Sequence, residues 1–327
     1  MTEISDFLGL PPNVVGVLGG MAALLLGATV FRGLILLHDA DSSARTAWRS
    51  LATWWILFLL LVASLLLGRQ AVALLMLATA LLGLREALFL IFSRGLFAVV
   101  AFLFLLLFLW GWLDRVALFT RVIPLLLLIL AVAEVARKLL FPERFPEVRW
   151  MILGFLVPLL GPLFVLGATF LPVPRPPGGS WQGWLVALVT LTELNDMAQA
   201  WWGRALGSRP LAPSVSPAKT WEGFAGGMAT TIAVALFLAP LLTPFGRMTP
   251  PGGVGPPWLW SLALGILVSL AGVAGDLTAS ALKRRRGVKD SGNLLPAQGG
   301  ILDRFDSLAV SAPAFFFFAW LLWAHPL

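Results

Sequence analysis

Ser280-Ala-Leu-Lys283-Arg284-Arg285-Arg286-Gly-Val-Lys289-Asp290-Ser-Gly292-Asn-Leu-Leu-Pro296-Ala-Gln298-Gly299-Gly300-Ile-Leu-Asp303-Arg304-Phe-Asp306-Ser307 is the longest polar run in a very apolar chain. Apolar runs at about 258–282 and 307–324 flank it, each long enough to cross a hydrocarbon core of roughly 30 Å. The stretch therefore reads as a polar island between two membrane spans. Five bases in seven positions, a glycine pair and the acids Asp290, Asp303 and Asp306 are the ingredients that a polyphosphate and its divalent metal require.

Working outward, the rest of the chain is suited to the same apolar solvent. Of 327 residues, 59% are hydrophobic and only 12% charged, which is far from soluble-globular usage. The spacing predicts an all-α polytopic membrane protein with ten spans, at about 14–37, 50–67, 70–84, 96–113, 117–136, 150–171, 182–202, 222–241, 258–282 and 307–324. In that alternation seventeen of the 23 Lys and Arg fall on one side and five on the other, with Arg32 inside the first span. The basic side is cytoplasmic by the positive-inside rule, so the polar island faces the cytoplasm and both termini lie outside. A bacterial inner (cytoplasmic) membrane suits this arrangement. Residues 1–149 read as a transmembrane scaffold and 150–327 as the catalytic part, with cytoplasmic loops 203–221 and 283–306.

Composition also excludes whole classes of chemistry. The absence of Cys removes disulfides and thiolate sites, and the two histidines, His38 and His325, lie too near the ends for a Ser-His relay or a His-based metal centre. The net charge of +7 resides in short loops, a pattern of membrane topology and not of nucleic-acid binding. Glu3 and Asp6 before the first apolar run argue against a cleaved signal peptide. Homodimerisation is left open.

Acids are expensive in hydrocarbon, so Glu193, Asp196 and Asp276, with Asn195 beside them, each mark a functional position. Asp303 and Asp306 stand three apart; on a helix they share a face and reach one ion while Arg304 points elsewhere. Read blandly, the same acids complement a helix N-terminus. Gly292, Gly299 and Gly300 permit close backbone approach to an anion. A second basic loop holds Arg204, Ser216, Pro217, Lys219, Thr220 and Glu222 on the same face. There the spacing predicts Ser216 as a helix N-cap with Pro217 in the first turn, a start that also seats phosphate beside Lys219.

Ser280-x-Leu-Lys283-Arg284-x4-Lys289-Asp290-Ser-Gly292-x2-Leu295-Pro296-x-Gln298-Gly299-Gly300-Ile-Leu-Asp303-Arg304-Phe-Asp306 resembles the signature of the phosphatidate cytidylyltransferases, or CDP-diacylglycerol synthases. Leu211-Ala-Pro213-x-Val-Ser216-Pro217-x-Lys219-Thr220-Trp221-Glu222-Gly223 is similar to that family's second cytoplasmic motif, and Gly275-Asp276-Leu to its preceding acid. The resemblance covers roughly residues 193–310. It implies transfer of CMP from CTP to a membrane lipid phosphate, typically phosphatidate, with release of pyrophosphate and a need for Mg2+. It places the metal on Asp276, Asp303 and Asp306. Lys219, Lys283, Arg284, Lys289, Asp290 and Gln298 are then the catalytic candidates, and Asp196, Arg204, Ser216, Thr220, Glu222, Gly299, Gly300 and Arg304 the substrate-binding ones.

Two departures stand out. Gln298 occupies the family's His position, and Ala200 an aromatic one, as in a divergent paralogue. Gln donates and accepts hydrogen bonds but does not titrate. The alternative from another class is therefore a catalytically impaired paralogue that binds nucleotide or lipid headgroup. A transporter is disfavoured because the polar groups gather on one side and not at the midplane. The ten-span reading has a direct check: a reporter fused after Leu327 should be active outside the cytoplasm, and activity only in the cytoplasm would break the count.

Overall fold

The computed structural model describes residues 2–38, 42–91, 147–171, 179–295 and 297–323. Its elements are α1 (Thr2–Leu8), α2 (Pro12–His38), α3 (Ser42–Leu67), α4 (Arg69–Ile91), α5 (Glu147–Ala168), α6 (Trp181–Leu206), β1 (Pro210–Ala212), β2 (Ser216–Thr220), α7 (Trp221–Leu242), α8 (Pro257–Arg285), α9 (Leu302–Phe305) and α10 (Leu308–Trp323). Eight of the ten expected spans coincide with long helices, and the other two, 96–113 and 117–136, lie outside the described residues. Among those residues six stretches are long and apolar enough to cross a membrane: 12–37, 45–67, 69–90, 221–242, 257–285 and 302–323. Helix α6 is as long, but Glu193, Asn195, Asp196 and Gln199 make it more polar.

The structure changes three expectations. The span drawn at 70–84 continues to Ile91, because Arg85 and Glu86 lie inside a helix that resumes its apolar pattern at Ala87-Leu88. The polar island is shorter than its sequence, since α8 carries Lys283 and Arg284 in its last turn and α9 opens at Leu302. Ser216 and Pro217 do not start a helix; they lie in a strand. Thr220 is the cap of α7, its hydroxyl accepting the Gly223 N–H at 3.1 Å.

Lipid tails are as apolar as leucine, so helix association here depends on close packing. Gly223 and Gly227 let α7 lie directly on α6: a Cβ on Gly223 would stand 2.7 Å from the Gln199 carbonyl oxygen and 3.0 Å from the Gly203 Cα. At one end of the bundle, Trp184 packs edge-on against Phe245 and Phe315 at 5.7 and 5.9 Å. Arg69, at the start of α4, lies 5.7 Å from the Phe170 ring and 5.4 Å from that of Trp181. The start of α4, the end of α5 and the start of α6 thus meet at one level, as alternating spans require. The polar loops gather at the opposite end.

There α8 crosses the start of α10 at Gly275. A side chain at this position would meet the Ser307 carbonyl oxygen at 2.8 Å and its Cα at 3.1 Å. Gly275→Ala should force the helices apart and lower stability by about 1–3 kcal/mol. An unchanged thermal unfolding midpoint in detergent would show that the crossing has slack.

Candidate active site

Helix α6 ends at a Gly207 cap, and the chain returns as a two-stranded antiparallel hairpin pairing Pro210 with Thr220 and Ala212 with Ser216. Glu222 clasps its base, accepting from the Ser208 hydroxyl at 2.7 Å and from the amides of Ser208 and Arg209 at 3.1 and 3.2 Å. With hairpin and cap fixed, Lys219 projects toward α8. Its ammonium lies 2.6 Å from Asp276 Oδ2 and 3.4 Å from Gln199 Oε1.

The second loop is built around Asp303. Lys283 donates to its Oδ1 at 2.7 Å, while Oδ2 accepts from the Ser291 amide (2.8 Å) and the Gly300 amide (2.8 Å), with the Ser291 hydroxyl 3.0 Å away. The same Lys283 ammonium lies 3.6 Å from Asp306 Oδ2. All three charged side chains are buried, and the pairing is what makes their burial tolerable. Gly299 turns the chain at φ 82°, a conformation that disfavours a side chain. Arg284 ties the two loops together, donating from Nε to the Val215 carbonyl at 3.2 Å and from Nη1 to that of Val288 at 3.1 Å. Gln298 is pinned from below, its amide nitrogen donating to the Ser50 carbonyl (2.9 Å) and hydroxyl (2.7 Å) on α3. Because a carbonyl only accepts, this contact fixes which end of the Gln298 amide faces Ser50.

Between the loops lies a cavity of about 470 Å³. Six acids line it (Glu193, Asp196, Asp276, Asp290, Asp303, Asp306), together with five bases (Lys219, Lys283, Arg284, Lys289, Arg304). Gln298, Ser216 and Thr220 also face it. The structure thus brings together most of the residues expected from sequence. It places four of them elsewhere: Glu222 holds the hairpin, Arg204 is exposed in the last turn of α6, and Gly299 and Gly300 shape the turn behind Asp303. Arg304, a substrate-binding candidate that helical spacing alone turns away from the two acids, lines the cavity from the single short turn of α9.

Sequence reasoning missed residues of the first half. Trp54 of α3 lines the cavity, Ser50 holds Gln298, and Glu86 of α4 binds the loop that carries Asp303. The available signal for Glu86 was an acid in a leucine-rich helix.

The acids differ in how free they are to hold a divalent cation. Asp303 has both oxygens occupied by donors. Among the described residues Asp276 Oδ1 accepts from Ser280 at 3.1 Å, and Asp306 Oδ1 from the Ser307 amide at 2.9 Å. Asp196 receives the Ser307 hydroxyl on Oδ2, and its buried Oδ1 has no partner among the described residues. No three acids among the described residues form a ready cage for a metal. Mg2+ at phosphate sites is held by one or two carboxylates together with substrate phosphates, so the set fits such an ion.

Comparison with known proteins accords with this geometry. The chain is 47% identical over 131 residues to the uncharacterized protein YnbB of Escherichia coli (strain K12), covering 40% of each chain. It is 41% identical over 142 residues to a phosphatidate cytidylyltransferase of Brucella suis biovar 1, covering 43% of this chain and 48% of that protein. Over 115 residues it is 45% identical to the phosphatidate cytidylyltransferase of Bacillus subtilis (strain 168), covering 35% and 39%. The chain thus spans less than half the length of each of these relatives. The profile of the cytidylyltransferase family extends much further, from residue 48 to 322, taking in the helices before the two loops as well as the loops themselves, and the chain belongs to that family.

Proposed function

We propose that this membrane protein transfers CMP from CTP to the phosphate of a membrane lipid, phosphatidate or a related lipid, giving CDP-lipid and pyrophosphate. The observation that carries the reading is the cavity at the ends of membrane helices where Lys219, Lys283, Arg284 and Lys289 meet Asp196, Asp276 and Asp306. A soluble nucleotide reaches such a place from water, and a lipid headgroup reaches it from the bilayer. The volume suits one nucleotide with a headgroup beside it. The relatives' names point the same way.

In this reaction a lipid phosphate oxygen attacks the α-phosphorus of CTP. A new P–O bond forms, the bond from that phosphorus to the oxygen bridging the β-phosphate breaks, and pyrophosphate leaves with the electron pair. The attacking phosphate monoester is already largely ionised near pH 7, so no general base is needed. The roles left to the protein are positioning and charge stabilisation. Lys219 and Lys289, from different loops, neutralise the phosphates from two sides, and Arg284 keeps those loops in register. Lys283, buried between Asp303 and Asp306, orders the acids.

Lys219 and Lys289 offset only part of the negative charge of a triphosphate and a lipid phosphate, and acids line the same cavity. A divalent cation, held by Asp276 and Asp306 with Asp196 at hand, would supply the remaining neutralisation. Gln298 serves here as a loop pin, a role that its amide fulfils without titrating. With the basic side inward, the site faces the cytoplasm, where CTP is available.

Purified protein given CTP, Mg2+ and phosphatidate should yield CDP-lipid and pyrophosphate, identified by mass spectrometry across a panel of lipid phosphates. Chelation of the divalent ion should stop turnover. Asp276→Ala should lower kcat by about 10²–10³-fold while the protein still unfolds at a similar temperature. A wild-type sample that binds CTP yet forms no CDP-lipid from any of the lipids would favour the nucleotide-binding alternative.

A further inference from the structure

The turn at Gly299–Leu302 opens a helical stretch without a local cap. Ile301 stands at the N-cap position with no side-chain hydrogen bond, and the glycines before it have none to offer. The first amides of a helix need acceptors from elsewhere, above all where water is scarce. Glu86, near the end of α4, supplies them from more than two hundred residues away. Its Oε1 accepts the Ile301 N–H at 3.0 Å, and its Oε2 accepts the Leu302 N–H at 2.9 Å and the Ser291 hydroxyl at 2.7 Å. The loop is shaped to this carboxylate: a Cβ on Gly292 would stand 2.9 Å from Oε1, and the place of a Cβ on Gly300 is already taken by Glu86. The Ser291 hydroxyl gives its one proton to Glu86 while the Ser291 amide donates to Asp303 Oδ2 at 2.8 Å, so Glu86 and Asp303 hold the same serine, and Asp303 in turn holds Lys283.

We propose that Glu86 is a positioning residue of the site, a helix cap supplied by α4 that fixes the Gly299–Leu302 turn and, through Ser291 and the turn's amides, sets Asp303 and Lys283. A carboxylate suits this role because both oxygens accept, matching two adjacent N–H groups and a hydroxyl. It needs no cation, since three donors surround it.

The kinetic consequence rests on the proposed transfer reaction; the positioning itself does not. Glu86→Gln keeps the size but turns an amide donor toward a backbone N–H. Both Glu86→Gln and Glu86→Ala should lower kcat by about tenfold or more, as loss of a supporting hydrogen bond behind an active-site acid does, with much less change in KM for CTP. Wild-type kcat in folded Glu86→Gln would reduce the residue to a space-filler and overturn the proposal.

A second readout is independent of turnover. The chain has no cysteine, so Leu302→Cys carries the sole thiol, at a position only 1% exposed. Its labelling by a membrane-impermeant maleimide should be slow with Glu86 in place and faster by about tenfold or more in the Glu86→Gln background, where the turn opens more often. Ile301→Cys serves the same purpose if Leu302→Cys does not fold. Equal labelling rates overturn the proposal whatever the activity. Faster labelling together with a wild-type protein that makes no CDP-lipid would count against the reaction and leave the positioning role intact.

Discussion

Lys283, held between Asp303 and Asp306, is the interaction on which the site depends. The lysine comes from the last turn of α8 and the acids from the start of the final helical stretch, so one ammonium sets the spacing of two elements that the polar loop would otherwise leave independent. Breaking a buried pair by removing one partner costs about 3–5 kcal/mol, because the other charge is stranded. Asp303 is also the acceptor for the Ser291 and Gly300 amides, so the loop between them hangs on the same carboxylate. Packing reinforces this at Gly275, where α8 and α10 touch backbone to backbone.

Much of this was legible in the sequence because the bilayer imposes simple rules. A span must be apolar for about twenty residues, so the helices could be drawn from composition alone. Acids at membrane depth are rare, so Asp196 and Asp276 drew attention before any contact was known. The hairpin was not legible for a physical reason. Ser216 and Thr220 are both good caps four residues apart, and the choice falls to Thr220 because Glu222 binds Ser208 and Arg209, a contact across the loop that no local pattern encodes. Arg304 lines the cavity as a substrate-binding candidate should, although spacing, which gives the residues that share a helix face, does not give the way a single turn is rotated.

Glu86 was hidden by a boundary. With the span ended at 84, the residue became an interfacial acid beside Arg85, of the kind that borders many membrane helices. The helix in fact continues to Ile91, which carries Glu86 to the level of the loop, and its partners at 291, 301 and 302 are remote in sequence. The first half is thus more than a frame for the second. Ser50 holds one end of the glycine turn through Gln298, and Glu86 holds the other.

Under the proposed reaction two anionic substrates and a cation would share one cavity, and the charge pattern bears on how. Lys219 and Asp276 are paired at 2.6 Å, partly exposed, and each is the nearest counter-charge of the other. Under the proposed reaction, a phosphate drawn to Lys219 leaves Asp276 short of a counter-charge, and a cation drawn to Asp276 leaves Lys219 in the same position. Each ligand alone weakens the pair; both together replace it with two new ones. Under that reaction the arrangement would favour joint arrival of nucleotide and cation, a coupling that is reciprocal by thermodynamic necessity. Asp303, held by Lys283 and by the amides of Ser291 and Gly300, stands apart from this exchange. The site thus divides into a fixed part, from Lys283 to Glu86, and an exchangeable part at Lys219 and Asp276, where the substrates would enter.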